Sequence, residues 1–202
     1  MIRSQIITIR LGCDLKKNMK KSYLAFALCM LLTTLYISCS DNDDEYVPVS
    51  PVTVDLTLVP YQKLSEYKFF EGGEMKDMIP SLNVIPYEPA SGLFTDYASK
   101  KRFIWMPTGV TSTYVADDKI LNFPVGTVLI KTFYYTTIQP GNQTKILETR
   151  LMIRHNDGWK FYEYLWNDEQ TDADLVAGDD FTTGSFKTIT FTKPNGEVIT
   201  TD

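Results

Sequence analysis

The chain has 202 residues, 44% of them hydrophobic, and its 25 acidic against 20 basic side chains give a net charge of −5. Residues 1–38 hold six of the basic groups and one acid, so the remainder is strongly acidic, which excludes the clustered Lys and Arg of a nucleic-acid partner. The three cysteines, Cys13, Cys29 and Cys39, fall in the first fifth and His155 is the only histidine; the body therefore has no internal disulfide, no cysteine zinc site, no thioether-linked haem and no two-histidine metal site.

Met19 opens a run of two lysines, Lys20 and Lys21, an uncharged apolar stretch from Tyr23 to Ile37, and small Ser38 before Cys39. That order of basic, apolar and small residues predicts a secretory signal, and the stretch is short for a membrane span, which needs ~20 residues. Residues 1–18 read as an upstream extension, 19–38 as the signal peptide, 39–60 as an acidic and Pro-rich linker, and 61–202 as a β-rich domain. Leu35-Tyr36-Ile37-Ser38-Cys39 resembles a bacterial lipobox, with Tyr36 where leucine is usual. Cys39 is then the lipidated first residue of the mature chain, and the membrane is a partner through its acyl chains. Ser40-Asp41-Asn42-Asp43-Asp44-Glu45 reads either as a solvated linker or as an acidic tag that resembles those of surface-exported Bacteroidetes lipoproteins. The expected location is the cell envelope, as an outer-membrane lipoprotein facing the periplasm or the surface.

In the domain, Leu64, Tyr67 and Phe70 fit a helical turn or a short edge segment, with Ser65 as cap and Gly72-Gly73 as stop. Pro80, Pro86 and Pro89 exclude a long helix from Glu74 to Gly92, which predicts an extended loop laid over the sheet. Phe103 to Met106 and Thr113 to Val115 read as short strands. The strongest signal is Phe123 to Asn167, three apolar runs rich in β-branched and aromatic residues, separated by turn residues: three consecutive antiparallel strands. A two-residue turn at Asp157-Gly158 sets Leu151 opposite Tyr164 and Ile153 opposite Tyr162, an apolar face, and leaves Glu148, Arg150, Met152 and Arg154 on the other. The acidic stretch from Asp168 to Gly184 reads as a turn-rich loop, followed by a hairpin of Phe186–Thr192 and Val198–Thr201 turning at Pro194-Asn195-Gly196. The fold class expected is mainly β, a single antiparallel β-sandwich or partly open barrel with little helix beyond the signal segment.

Three groups are candidates for chemistry. Lys131, Glu148, Arg150 and Glu163 form a polar patch inside the strands, read as a structural ion-pair network or a ligand-binding face; a carboxylate beside an arginine is expected to stay ionised. Asp168, Asp172 and Asp174, with Glu169, Asp179 and Asp180, are a candidate calcium cluster or a solvated loop, without an EF-hand pattern. Trp105, Trp159, Trp166 and the strand tyrosines suit sugar stacking if exposed and core packing if not. His155, beside the hairpin turn, reads as a surface residue. No nucleophile elbow, phosphate loop or metal-ligand spacing appears.

Leu93-Phe94-Thr95-Asp96-Tyr97, Lys101 to Gly109, Phe123 to Thr127, Lys131-Thr132-Phe133-Tyr134, Glu148 to Leu151, and Tyr164 to Asn167 followed by Thr171-Asp172-Ala173 resemble, in order, a family of secreted bacterial di-haem c-type cytochromes. The resemblance spans roughly Leu64 to Thr192. It implies a redox or envelope protein partner and covalent haem c, which needs Cys-x-x-Cys-His, and that run is absent from this sequence. No haem ligand carries over. The chain is thus expected to be either a fragment ending before the haem segment, with that segment the electron carrier, or a variant without haem. The functional expectation is a non-catalytic, lipid-anchored β domain; a surface glycan-binding module is the reading from a different class.

Overall fold

A computed structural model describes residues 48–176 and 187–201. The signal segment, Cys39 and the acidic tract lie outside the described residues, as do Asp179, Asp180 and Phe186. Among the described residues the chain is mainly β. Its strands are β1 (Val84–Pro86), β2 (Ser99–Trp105), β3 (Val128–Ile138), β4 (Gln143–His155), β5 (Gly158–Trp166), β6 (Ala173–Leu175), β7 (Ile189–Thr192) and β8 (Val198–Thr201). All pair antiparallel in one sheet of order β1 to β6 that does not close into a barrel. Strand β3 carries two neighbours on one edge: β2 from Val128 to Tyr134, and β7 at Ile138.

The three central strands follow from sequence. In β3 and β4 alternate residues are fully buried, Val128, Ile130 and Thr132 beside Thr149, Leu151 and Ile153, the period-two pattern of a sheet with one sealed face. The hairpin register differs from the expected one. The turn is Asn156-Asp157, His155 faces Gly158, Leu151 faces Tyr162 and Thr149 faces Tyr164. A type I′ turn needs positive φ at both central residues. Here Asn156 and Asp157 keep ordinary φ, and Gly158 alone takes φ +136° as the first residue of β5. Each partner moves by two positions, so every side chain keeps its expected face.

A bulge in β4 then separates two cores. Phe133 pairs with Glu148 and Tyr134 with Ile146, leaving Leu147 unpaired. Ile146 joins the main core with Trp105, Leu151, Tyr164 and Trp166. Leu147 turns to a smaller cluster of Tyr135, Ile138, Ile189 and Phe191.

The main core is closed by chain from before the sheet. Leu64, Tyr67 and Phe69 are at most 1% exposed, and of the segment expected as a linker, Val52, Val54, Leu56 and Val59 pack against them. Leu64–Tyr67 is a single 3-10 turn. Its cap is not Ser65: the Glu66 carboxylate accepts from the Lys63 N–H at 2.7 Å, while Ser65 donates its hydroxyl to Asp172 at 2.6 Å. The turn ends at Lys68, φ +57°, before the glycines. Tyr164 donates to the Tyr61 carbonyl at 2.8 Å, so its single O–H is spent and Tyr67 is the donor in the 2.9 Å bond between the two hydroxyls.

Three further sequence expectations need correction. Thr113 to Val115 forms no strand, only a bridge from Thr113 to Asn122. Val84–Pro86, expected within an extended loop, pairs with β2. Ala173–Leu175, inside the acidic stretch, pairs with β5 and buries Ala173 completely. No helix among the described residues is long and apolar enough to cross a membrane.

Candidate functional site

The sheet face opposite the main core carries the predicted polar patch. Arg102 of β2 lies directly opposite Lys131 of β3, Lys131 opposite Arg150 of β4, and Arg150 opposite Glu163 of β5. The next row holds Lys100, Phe133, Glu148 and Leu165. The four predicted residues are thus together, and Arg102 and Phe133 join them. In sequence Arg102 is the last of three consecutive basic residues, Lys100-Lys101-Arg102; its place depends on the β2–β3 register, which a single sequence does not display.

The pairing is uneven. Arg150 contacts Glu148 at 2.8 Å and Glu163 at 3.9 Å. Arg102 meets Glu88 at 3.5 Å, and Glu88 is largely exposed. Lys131 makes no ion pair among the described residues; its ammonium sits 4.5 Å from the centre of the Phe133 ring, with the Arg150 guanidinium 5.1 Å from the same ring. Burial, then the cations Arg102, Arg150 and Lys100, lower the Lys131 pKa. Glu148 departs from the expected ionised state: burial and a hydrogen bond with Glu163 outweigh Arg150 and push its carboxyl up to about 7.

The acidic candidates are not brought together. Asp168 pairs with Lys145 at 2.9 Å and Lys187 at 2.8 Å, which hold it down at about 2. Asp172 accepts from the Ser65 backbone and hydroxyl and the Ala173 N–H. Asp174 pairs with Lys63. Among the described residues no three His, Cys, Asp or Glu side chains are arranged to hold a metal ion; Asp168, Asp172 and Asp174 each have a separate protein partner.

Of the tryptophans, Trp105 and Trp166 are core residues, 8% and 2% exposed. Trp159 reaches a cleft of about 380 Å³ that Phe123 and Arg154 also line, its ring edge-on to Phe123 at 6.0 Å and under the Arg154 guanidinium at 5.9 Å. A second cleft, of about 410 Å³, lies between Met78, Tyr87 and Arg102. Glu148 lines neither. His155, expected on the surface, is 8% exposed and its Nε2 has no partner; its side chain alternates inward with Leu151 and Ile153. The residues therefore do not fit the covalent haem that the cytochrome resemblance implies, since the attachment run is absent and the only histidine is packed into the sheet's buried end.

No family model, no curated protein and no solved structure matches this chain.

Proposed function

We propose that this chain is a lipid-anchored protein of the cell envelope whose β domain is a non-catalytic binding scaffold. The observation that carries the scaffold reading is the position of Glu148. It is the carboxyl that titrates near neutrality, yet it stands on a sheet face, held between Arg150 and Glu163, and lines neither described cleft. A general acid needs such a pKa together with a site that receives a substrate; here the pKa has a structural cause and the clefts lie elsewhere.

The address rests on the basic residues Lys20 and Lys21, the apolar run and Cys39 in sequence. Growth with labelled fatty acid tests it: the wild-type chain incorporates label and Cys39→Ser does not. Equal labelling of the two removes the anchor. The ordered motifs favour a second reading, the β region of an electron-transfer protein whose haem-binding segment is not in this sequence. Reading the gene beyond codon 202 tests it: Cys-x-x-Cys-His in frame would support that reading, and an authentic stop would remove it.

A further inference from the structure

We propose that Arg102, Lys131 and Arg150 form a binding site for an oxyanion carrying two or more negative charges, seated over the β2–β3–β4 face. The inference concerns the domain and holds whichever address the chain has. Neighbouring strands lie ~4.8 Å apart, so residues directly opposite are in contact range, and like charges placed there are destabilising. This sheet places three cations abreast on three adjacent strands. Among the described residues Lys131, the middle one, makes no ion pair, and Arg102 has only the exposed Glu88 at 3.5 Å.

The charged groups around the row divide it into two ends. On the β4–β5 side Glu148 and Glu163 compensate Arg150. Asp174 on β6, opposite Leu165, is committed to Lys63. On the β2–β3 side Arg102 pairs with Glu88, the Lys100 ammonium donates to the Leu93 carbonyl, and Lys131 feels Glu148 only at a distance, outweighed by Arg102, Arg150 and Lys100. The Phe133 ring lies below Lys131 and Arg150, 8% exposed, and offers its face to both. That contact offsets part of the repulsion and fixes where the two cations sit, but it supplies no counter-charge. An anion of more than one charge resting across Arg102, Lys131 and Arg150 supplies it. Two guanidinium forks flanking an ammonium match oxyanion geometry, the forks giving directed hydrogen bonds and the lysine a point charge.

Phosphoryl and carboxylate ligands share this chemistry, and two probes separate them. The full chain is titrated calorimetrically with pyrophosphate and with citrate, each against chloride at equal ionic strength. Saturable binding of either is expected; pyrophosphate alone assigns a phosphoryl group and citrate alone a carboxylate. Lys131→Met should weaken binding roughly tenfold or more, Arg102→Gln should weaken it in the same direction, and Lys119→Met, on the distant loop beside Asp118, should leave it unchanged. Thermal unfolding supplies the second measurement. Without anion, Lys131→Met should be at least as stable as the wild type, and pyrophosphate or citrate should raise the wild-type midpoint but not that of the variant. The proposal is overturned by the absence of saturable binding of both anions in the millimolar range, or by Lys131→Met binding as tightly as the wild type.

Discussion

Replacing Glu148 by Gln tests the electrostatics of the sheet face. The amide stands in for the protonated acid, keeping a donor towards Glu163 and removing the charge. In the folded chain the Glu148 carboxyl titrates at about 7, against a usual 4.5. Between those values the native state holds a proton that the unfolded state has released, so wild-type stability falls as pH rises through this window and the loss is complete above 7. A displacement of that size corresponds to about 3 kcal/mol. The Glu148 side chain keeps 16% of its surface in water and Arg150 beside it is half exposed, so screening reduces the figure to about 1–2 kcal/mol. Urea unfolding of both chains from pH 4.5 to 8 should give nearly equal stabilities at the acid end, and an advantage of about 1–2 kcal/mol for Glu148→Gln above pH 7. A difference that stays constant across the range, or a wild type that is the more stable at pH 8, would refute the reasoning.

The remaining predictions concern single contacts. Thr149 is fully buried, bonds Thr132 at 2.8 Å and accepts from the Trp166 indole at 3.0 Å; Thr149→Val leaves that indole N–H without a partner and should cost about 2 kcal/mol in urea unfolding, whereas Thr137→Val at the sheet's end should cost less. Gly126 has φ +89°, and a Cβ there would stand 2.8 Å from the Pro107 ring, so Gly126→Ala should lower stability by about 1–2 kcal/mol while a ring-opening change, Pro107→Ala, relieves part of it. Asp168 is held at about 2 by Lys187 and Lys145. The contribution of these pairs is present above the ordinary 3.8 and disappears as pH falls through 2, so any midpoint difference between wild type and Asp168→Asn should vanish at the acid end and in high salt.

The central hairpins were legible because Val128 to Trp166 repeats apolar residues at period two between turn residues, and that signal is local. The register of β4 on β5 was not, since it hangs on where the positive φ falls, and here Gly158 alone takes it, as the first residue of β5. Short strands such as Val84–Pro86 and Ala173–Leu175 carry too few residues to show a period; they exist because β2 and β5 offer them an edge. In the patch, Glu148, Arg150 and Glu163 were placed on one face by alternation alone. Arg102 needed the β2 pairing. The raised Glu148 pKa needed burial, a quantity that spacing does not contain, and the same holds for His155, which is 8% exposed although Arg154 and Asn156 beside it in sequence are polar.

The shared edge of β3 leaves the β7–β8 hairpin covering only the smaller of the two hydrophobic clusters. The β7–β8 hairpin is joined to β3 through the Ile138–Phe191 pair, the Gln139 N–H on the Thr190 carbonyl at 2.8 Å and the Thr137 hydroxyl on the Thr192 carbonyl at 2.8 Å. Behind these stands a cluster of only a few rings and aliphatics, with Tyr135 and Phe191 4.5 Å apart. Peeling the hairpin away exposes that cluster and leaves the larger one, under Leu64 and Tyr67, intact. Amide hydrogens of Ile189–Thr192 should therefore exchange through a sub-global opening, at a lower free energy than those of Leu151 and Ile153, which wait for the whole sheet to come apart.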